Sequence, residues 1–145
     1  MGKSFNRFEV EIAAPVEAVF EQLTDHEAMS DWPGISRVEL VEEGRPRNGL
    51  GAVREINARG FKMQEKVVNW DPPHRLAYTI CKGLPVDHLG VVVLTPQGDG
   101  TKLTWEITIE NPWPLFARAL GAALKRTLPG GIAHLKRTVE QRARQ

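Results

Sequence analysis

Cysteine is almost missing from this chain of 145 residues: Cys81 is the only one. That excludes an internal disulfide and any metal site built from paired cysteines. Long apolar runs are missing as well, and no window approaches the roughly 20 residues that a membrane-spanning helix needs. The opening residues, Met1-Gly2-Lys3-Ser4-Phe5-Asn6, carry no apolar stretch of signal-peptide length. The expected setting is a reducing cytoplasm, with no stable membrane insertion. No Gly-rich phosphate loop precedes a helix pattern, and neither a His-Glu-x-x-His pair nor a nucleophile elbow occurs. His26, His74, His88 and His134 are scattered without ligand spacing, so neither metal nor cofactor is expected.

Charge of one sign is scarce in total, at a net +1, but unevenly placed. From Pro112 onward seven Lys or Arg stand against one acid, Glu140, whereas before it acids exceed bases by five. A basic C-terminal segment suits an acidic partner or an anionic lipid surface. It equally suits a solvated face whose charge complements a helix C-terminus. No nucleic-acid partner is expected.

What the chain does have is a long apolar period at its end. Phe116, Leu120, Leu124, Leu128, Ile132, Leu135 and Val139 recur at intervals of three or four, as on one face of an α-helix. Pro129-Gly130-Gly131 interrupts the run, yet the phase continues past it. A proline inside a helix costs roughly 3 kcal/mol, while burying each Leu or Ile returns roughly 1.5–3 kcal/mol. One long helix from Pro114 to Arg144, kinked near Pro129, is expected.

Upstream, Phe8, Val10 and Ile12 alternate with polar residues as a half-buried strand. Ala13-Ala14-Pro15 ends it, and Val16, Val19, Phe20 and Leu23 mark a short helix. A second short helix holds Ala28, Met29 and Trp32 before Pro33-Gly34 stops it. Six strands follow. They run over Ser36–Glu43, Ala52–Asn57, Phe61–Trp70, around Leu76-Tyr78-Ile80, over Val86–Thr95, and around Leu103–Ile109, parted by short turns such as Asp71-Pro72-Pro73. No repeat or linker appears, so residues 1–145 read as one α+β domain. Its expected form is a seven-stranded antiparallel curved sheet wrapped around a long C-terminal helix, with two short helices after the first strand.

A curved sheet gripping a helix encloses space, and strand parity says what faces it. Ala52, Arg54 and Ile56 share a face, as do Met63, Glu65 and Val67. Leu76, Tyr78 and Ile80 form the next set, then His88, Gly90, Val92 and Leu94, then Leu103, Trp105 and Ile107. Arg54, Glu65, Tyr78 and His88 are thus polar groups among core neighbours. An unpaired buried charge costs several kcal/mol, so Arg54 and Glu65 should pair or face water or a ligand. A one-residue bulge would instead turn both to solvent. Trp32 either covers the cavity mouth or simply packs a short helix. Phe116 and Leu120 stand on the helix face over the hollow. Asp87 and His88, adjacent on a strand, point to opposite faces and cannot act as a base and its orienter. Apolar walls with a few convergent polar groups describe a small-molecule pocket.

In order and spacing, several segments resemble the START-like or SRPBCC superfamily (Bet v 1-type helix-grip fold), closest to its polyketide cyclase/dehydrase and lipid-transport branch. They are Ala14-Pro15-Val16-Glu17-Ala18-Val19-Phe20, Leu23-Thr24-Asp25, Trp32-Pro33-Gly34, Gly49-Leu50-Gly51 leading to Arg54, and Glu65-Lys66-Val67 leading to Asp71-Pro72-Pro73. Leu76-Ala77-Tyr78, Gly83-Leu84-Pro85 and Gly100-Thr101 leading to Trp105 complete the likeness. The resemblance implies a deep cavity between sheet and helix for a hydrophobic or aromatic molecule: a polyketide, a lipid or an isoprenoid quinone. The residues expected to meet it are Trp32, Arg54, Glu65, Tyr78, His88, Trp105, Phe116 and Leu120. The alternative is a cyclase or dehydratase in the same cavity, with His88 or Glu65 as general base and Arg54 or Tyr78 stabilising an enolate-like oxygen. The superfamily's fold serves carriers and enzymes alike, so it does not choose between them.

Overall fold

The computed structural model describes residues 2–145. The chain begins with strand β1 (Gly2–Ile12), helix α1 (Val16–Leu23) and a 3-10 helix (His26–Asp31). Six strands follow: β2 (Arg37–Glu42), β3 (Val53–Ala58), β4 (Phe61–Asp71), β5 (Arg75–Lys82), β6 (Asp87–Gln97) and β7 (Gly100–Asn111). Helix α2 (Pro114–Ala143) closes the chain. Every sheet neighbour is antiparallel, in the order β1-β7-β6-β5-β4-β3-β2. The arrangement is the α+β helix-grip fold expected from the sequence. No helix among the described residues is long and apolar enough to cross a membrane.

Alternation drives the sheet. In β7 every second residue from Thr101 to Asn111 is buried, which puts Leu103, Trp105, Ile107 and Ile109 on the concave face. β6 does the same with His88, Gly90, Val92 and Leu94. β4 carries a bulge between Val67 and Asn69, and this reverses its parity. Val67 points inward, Val68 is exposed, and Trp70 returns to pack edge-on against Phe20 with ring centroids 5.0 Å apart. The bulge lies beyond Glu65, which therefore keeps its inward direction.

β1 starts at Gly2, six residues before Phe8 opens the apolar alternation. Ser4 and Asn6 face α2, and Asn6 Nδ2 donates to the Gly121 carbonyl at 2.9 Å. A Cβ at Gly121 would stand 1.8 Å from Ser4 Oγ, so only glycine lets helix and strand meet there. The contact is made by small and polar residues, which an apolar pattern does not register.

α2 runs unbroken through Pro129, and its buried line is Ala117, Gly121, Gly131, Ile132, Leu135 and Val139. Its far end is tied down. Lys136 Nζ donates to the Glu11 carbonyl at 2.8 Å and to Glu140 Oε2 at 2.6 Å, and Ala13 N–H donates to the same oxygen at 2.8 Å. The Ala13 hydrogen bond, then Lys136, hold the Glu140 carboxyl below its ordinary pKa. Phe116 does not face the interior as expected; it is 38% exposed. A helix turns about 100° per residue, so each step of four drifts about 40°. Between Phe116 and Ile132 the drift reaches about 160°, and the two cannot share a face.

Candidate functional site

Between the concave sheet and the first half of α2 lies a cavity of about 240 Å³. Ile56, Met63, Ile80, Ile107, Leu120 and Leu124 supply much of its apolar wall. Its exposed lining residues, Pro33, Gly34, Arg59 and Thr127, mark the mouth. Of the residues expected from sequence, Trp32, Arg54, Glu65, Tyr78, His88, Trp105 and Leu120 line this one space, and Phe116 does not. Trp32 belongs to the wall and does not cover the mouth. It is 7% exposed, its indole rests where a Cβ at Gly131 would be, and it meets Trp105 edge-on at 6.2 Å.

The polar groups converge at the buried end. Arg54 and Glu65 are cross-strand partners in the β3–β4 ladder, so their side chains rise from adjacent positions on one face. Arg54 donates from Nε at 2.9 Å and from Nη2 at 2.6 Å, both to Glu65 Oε1. Glu65 Oε2 takes no hydrogen bond among the described residues. Arg54 Nη1 donates to His26 Nδ1 at 3.1 Å and approaches Met29 Sδ at 3.0 Å. The guanidinium carbon also lies 4.9 Å from the centroid of the Tyr78 ring, a cation–π distance.

His26 and Met29 are the part of this network that the sequence pattern concealed. His26 is 1% exposed, and its Nε2 donates to the Asn48 carbonyl at 2.8 Å while Nδ1 accepts from Arg54. Both ring positions are thus filled by a neutral imidazole. Burial, then the nearby Arg54 charge, bring its pKa down to about 3. The only sequence signal was a polar ring in a short helix otherwise packing Met29 and Trp32 inward.

Tyr78 lies opposite Gly90 in the β5–β6 ladder. Its oxygen accepts the Trp105 indole N–H at 3.0 Å. Burial, then the Glu65 charge, push the phenol pKa up, so it keeps its proton. The His88 ring sits 5.4 Å from the Tyr78 ring, and its Nδ1 accepts the Ile80 backbone N–H at 3.2 Å. Burial lowers the His88 pKa, leaving a neutral ring. With Nδ1 accepting, the ring hydrogen is on Nε2, so His88 offers a donor and not a base. Asp87 is exposed on the opposite face, as strand parity requires.

Chemically the buried end offers two neutral donors, one uncommitted carboxylate oxygen and a guanidinium already engaged. Among the described residues no group of three or more His, Cys, Asp or Glu is arranged to hold a metal ion.

Residues 7–140 match the family model described as polyketide cyclase/dehydrase and lipid transport. No curated protein matches the chain at a significant level. Among solved structures, the aromatase/cyclase Zhui from Streptomyces sp. R1128 superposes with a TM-score of 0.80 at 22% identity, covering 97% of this chain and 95% of its own. A norcoclaurine synthase point mutant from Thalictrum flavum, solved with a transition-state analogue, gives 0.77 at 16% identity, covering 97% and 96%. A Thermobifida fusca protein solved by NMR gives 0.76 at 26% identity, covering 94% and 93%. All three share the fold described above.

Proposed function

The chain belongs to the polyketide cyclase/dehydrase and lipid-transport family, and on that footing we propose that it binds a hydrophobic or aromatic small molecule, of polyketide, lipid or isoprenoid quinone type, between sheet and α2. One observation carries the reading: a cavity of about 240 Å³ with largely apolar walls, in which the buried polar side chains Arg54, Glu65, Tyr78 and His88 lie together, away from Arg59 and Thr127 at the mouth. Such a division favours a molecule with an apolar body and one polar end. Trp32, Arg54, Glu65, Tyr78, His88, Trp105 and Leu120 would meet it. Native mass spectrometry after incubation with a mixed lipid and quinone extract tests this. A single added mass at one ligand per chain supports it, and a bare protein mass under every condition overturns it.

A second reading makes the same cavity an enzyme's, of cyclase or dehydratase type. It is favoured by the uncommitted Glu65 Oε2 beside two proton-bearing donors, since a carboxylate base and an oxygen-stabilising pair serve enolisation. In this reading Glu65 takes the proton, and His88, with its hydrogen on Nε2, steadies the oxygen. Turnover of a candidate poly-β-ketone that survives Glu65→Gln unchanged would rule it out.

A further inference from the structure

We propose that the buried end of the cavity receives a neutral ligand oxygen that accepts hydrogen bonds, the carbonyl oxygen of a ketone, with Tyr78 and His88 as its two donors. This deepens the binding reading above and rests on it. Each donor has its direction set from behind by the protein. The Ile80 N–H occupies Nδ1 of His88 at 3.2 Å, which leaves the ring hydrogen on Nε2. The Trp105 N–H occupies the Tyr78 oxygen at 3.0 Å, and the phenol hydrogen has no acceptor among the described residues. Both residues line the cavity, both are under 10% exposed, and their ring centroids are 5.4 Å apart. Donors that open onto a cavity with no protein acceptor favour a ligand group that accepts from them over one that cannot.

The same geometry argues against a carboxylate. Arg54 is the cation at this depth, and Glu65 and His26 already engage its Nε, Nη1 and Nη2. An anionic head would lose its hydration without gaining a free cation, and would face the open Glu65 oxygen. A hydrocarbon end would leave both donors unmet.

Three naphthalenes of similar shape separate these cases by titration calorimetry: 2-acetylnaphthalene, 2-ethylnaphthalene and 2-naphthoate. The ketone is expected to bind at least about fivefold tighter than the hydrocarbon, since one net hydrogen bond is worth roughly that factor, and tighter than the anion. Tyr78→Phe is expected to shrink the ketone's advantage over 2-ethylnaphthalene about fivefold. Equal binding of ketone and hydrocarbon, or naphthoate binding as tightly as the ketone, overturns the assignment while the cavity reading survives. Failure of all three to bind overturns both. Should Tyr78→Phe not fold, the ¹⁵N spectrum of the wild-type imidazoles decides. A protonated Nε2 and bare Nδ1 at His88 support the donor role, and the opposite tautomer contradicts it.

Discussion

Tyr78 and Gly90 face each other across the β5–β6 ladder, and the phenol ring lies where a side chain at 90 would begin. A Cβ built on Gly90 would stand 2.3 Å from the ring's Cζ. The missing side chain therefore sets where the phenol lies, and with it the donor at the buried end.

Gly90→Ala should accordingly push the ring aside. Overpacking of this kind costs typically about 1–3 kcal/mol, and the Tyr78–Trp105 hydrogen bond should break with it. Urea unfolding would show the loss, and tryptophan fluorescence would report the changed surroundings of Trp105. Unchanged stability and emission would mean that Tyr78 does not occupy this position.

The Arg54–Glu65 pair is buried on both sides, with side chains 5% and 7% exposed. Removing one partner strands the other, at a cost of roughly 3–5 kcal/mol for a buried pair. Arg54→Met and Glu65→Leu should each destabilise on that scale, and the double variant should lose much less than their sum. A double-mutant cycle by urea unfolding measures the difference. Additive losses would show that the two charges are not coupled.

His26 gives the protein a pH dependence of known sign. Its folded pKa is about 3, against 6.5 for an ordinary histidine, so the unfolded chain binds the extra proton first. The contribution is fully present above pH 6.5 and is lost as pH falls toward 3, at up to about 1.4 kcal/mol per pH unit. The Arg54 and Arg47 charges act in the same direction as burial. His88, also lowered by burial, adds to the same trend. Between pH 7 and 5 wild type should lose roughly 1–2 kcal/mol from His26. In His26→Gln the fall should be shallower by that amount. Parallel curves for the two proteins would place the protonation elsewhere.

Arg59 is the only described non-glycine residue with a positive φ, 54°. With Gly60 at 80° it forms the two-residue turn between the paired Ala58 and Phe61, where both central positions need left-handed backbone. Arg59→Asn should therefore raise stability by about 0.5–1 kcal/mol, part of the roughly 1–2 kcal/mol that left-handed backbone costs an ordinary residue, read as a higher urea midpoint. A lower midpoint would mean that the arginine side chain stabilises the mouth by more than its backbone costs.

Much of this was legible in the chain because strand parity is a strict rule. Arg54, Glu65, Tyr78, His88 and Trp105 each fell on the inward side by counting, because the two irregularities of the β4–β5 ladder add their extra residues at Cys81 and Val68, past Tyr78 and Glu65. The bulge at Val68 was not legible, since nothing in Lys66-Val67-Val68-Asn69 distinguishes a regular strand from an interrupted one. Phe116 was misplaced because a stripe at steps of four drifts around a long helix; Ala117 and Gly121, too small to read as a stripe, carry the contact. His26 escaped because its partners, Arg54 and the Asn48 carbonyl, lie 28 and 22 residues away and only the folded chain brings them together.

A ligand chamber and mere imperfect packing differ in what happens when the interior is filled. Leu124 lines it from α2, and Leu124→Trp should fill much of it while the fold stands. Native mass spectrometry of both proteins after the same extract incubation is the direct comparison. One bound small molecule per wild-type chain and none on the filled variant is the expected result. Equal adducts on both, or none on either, would contradict it.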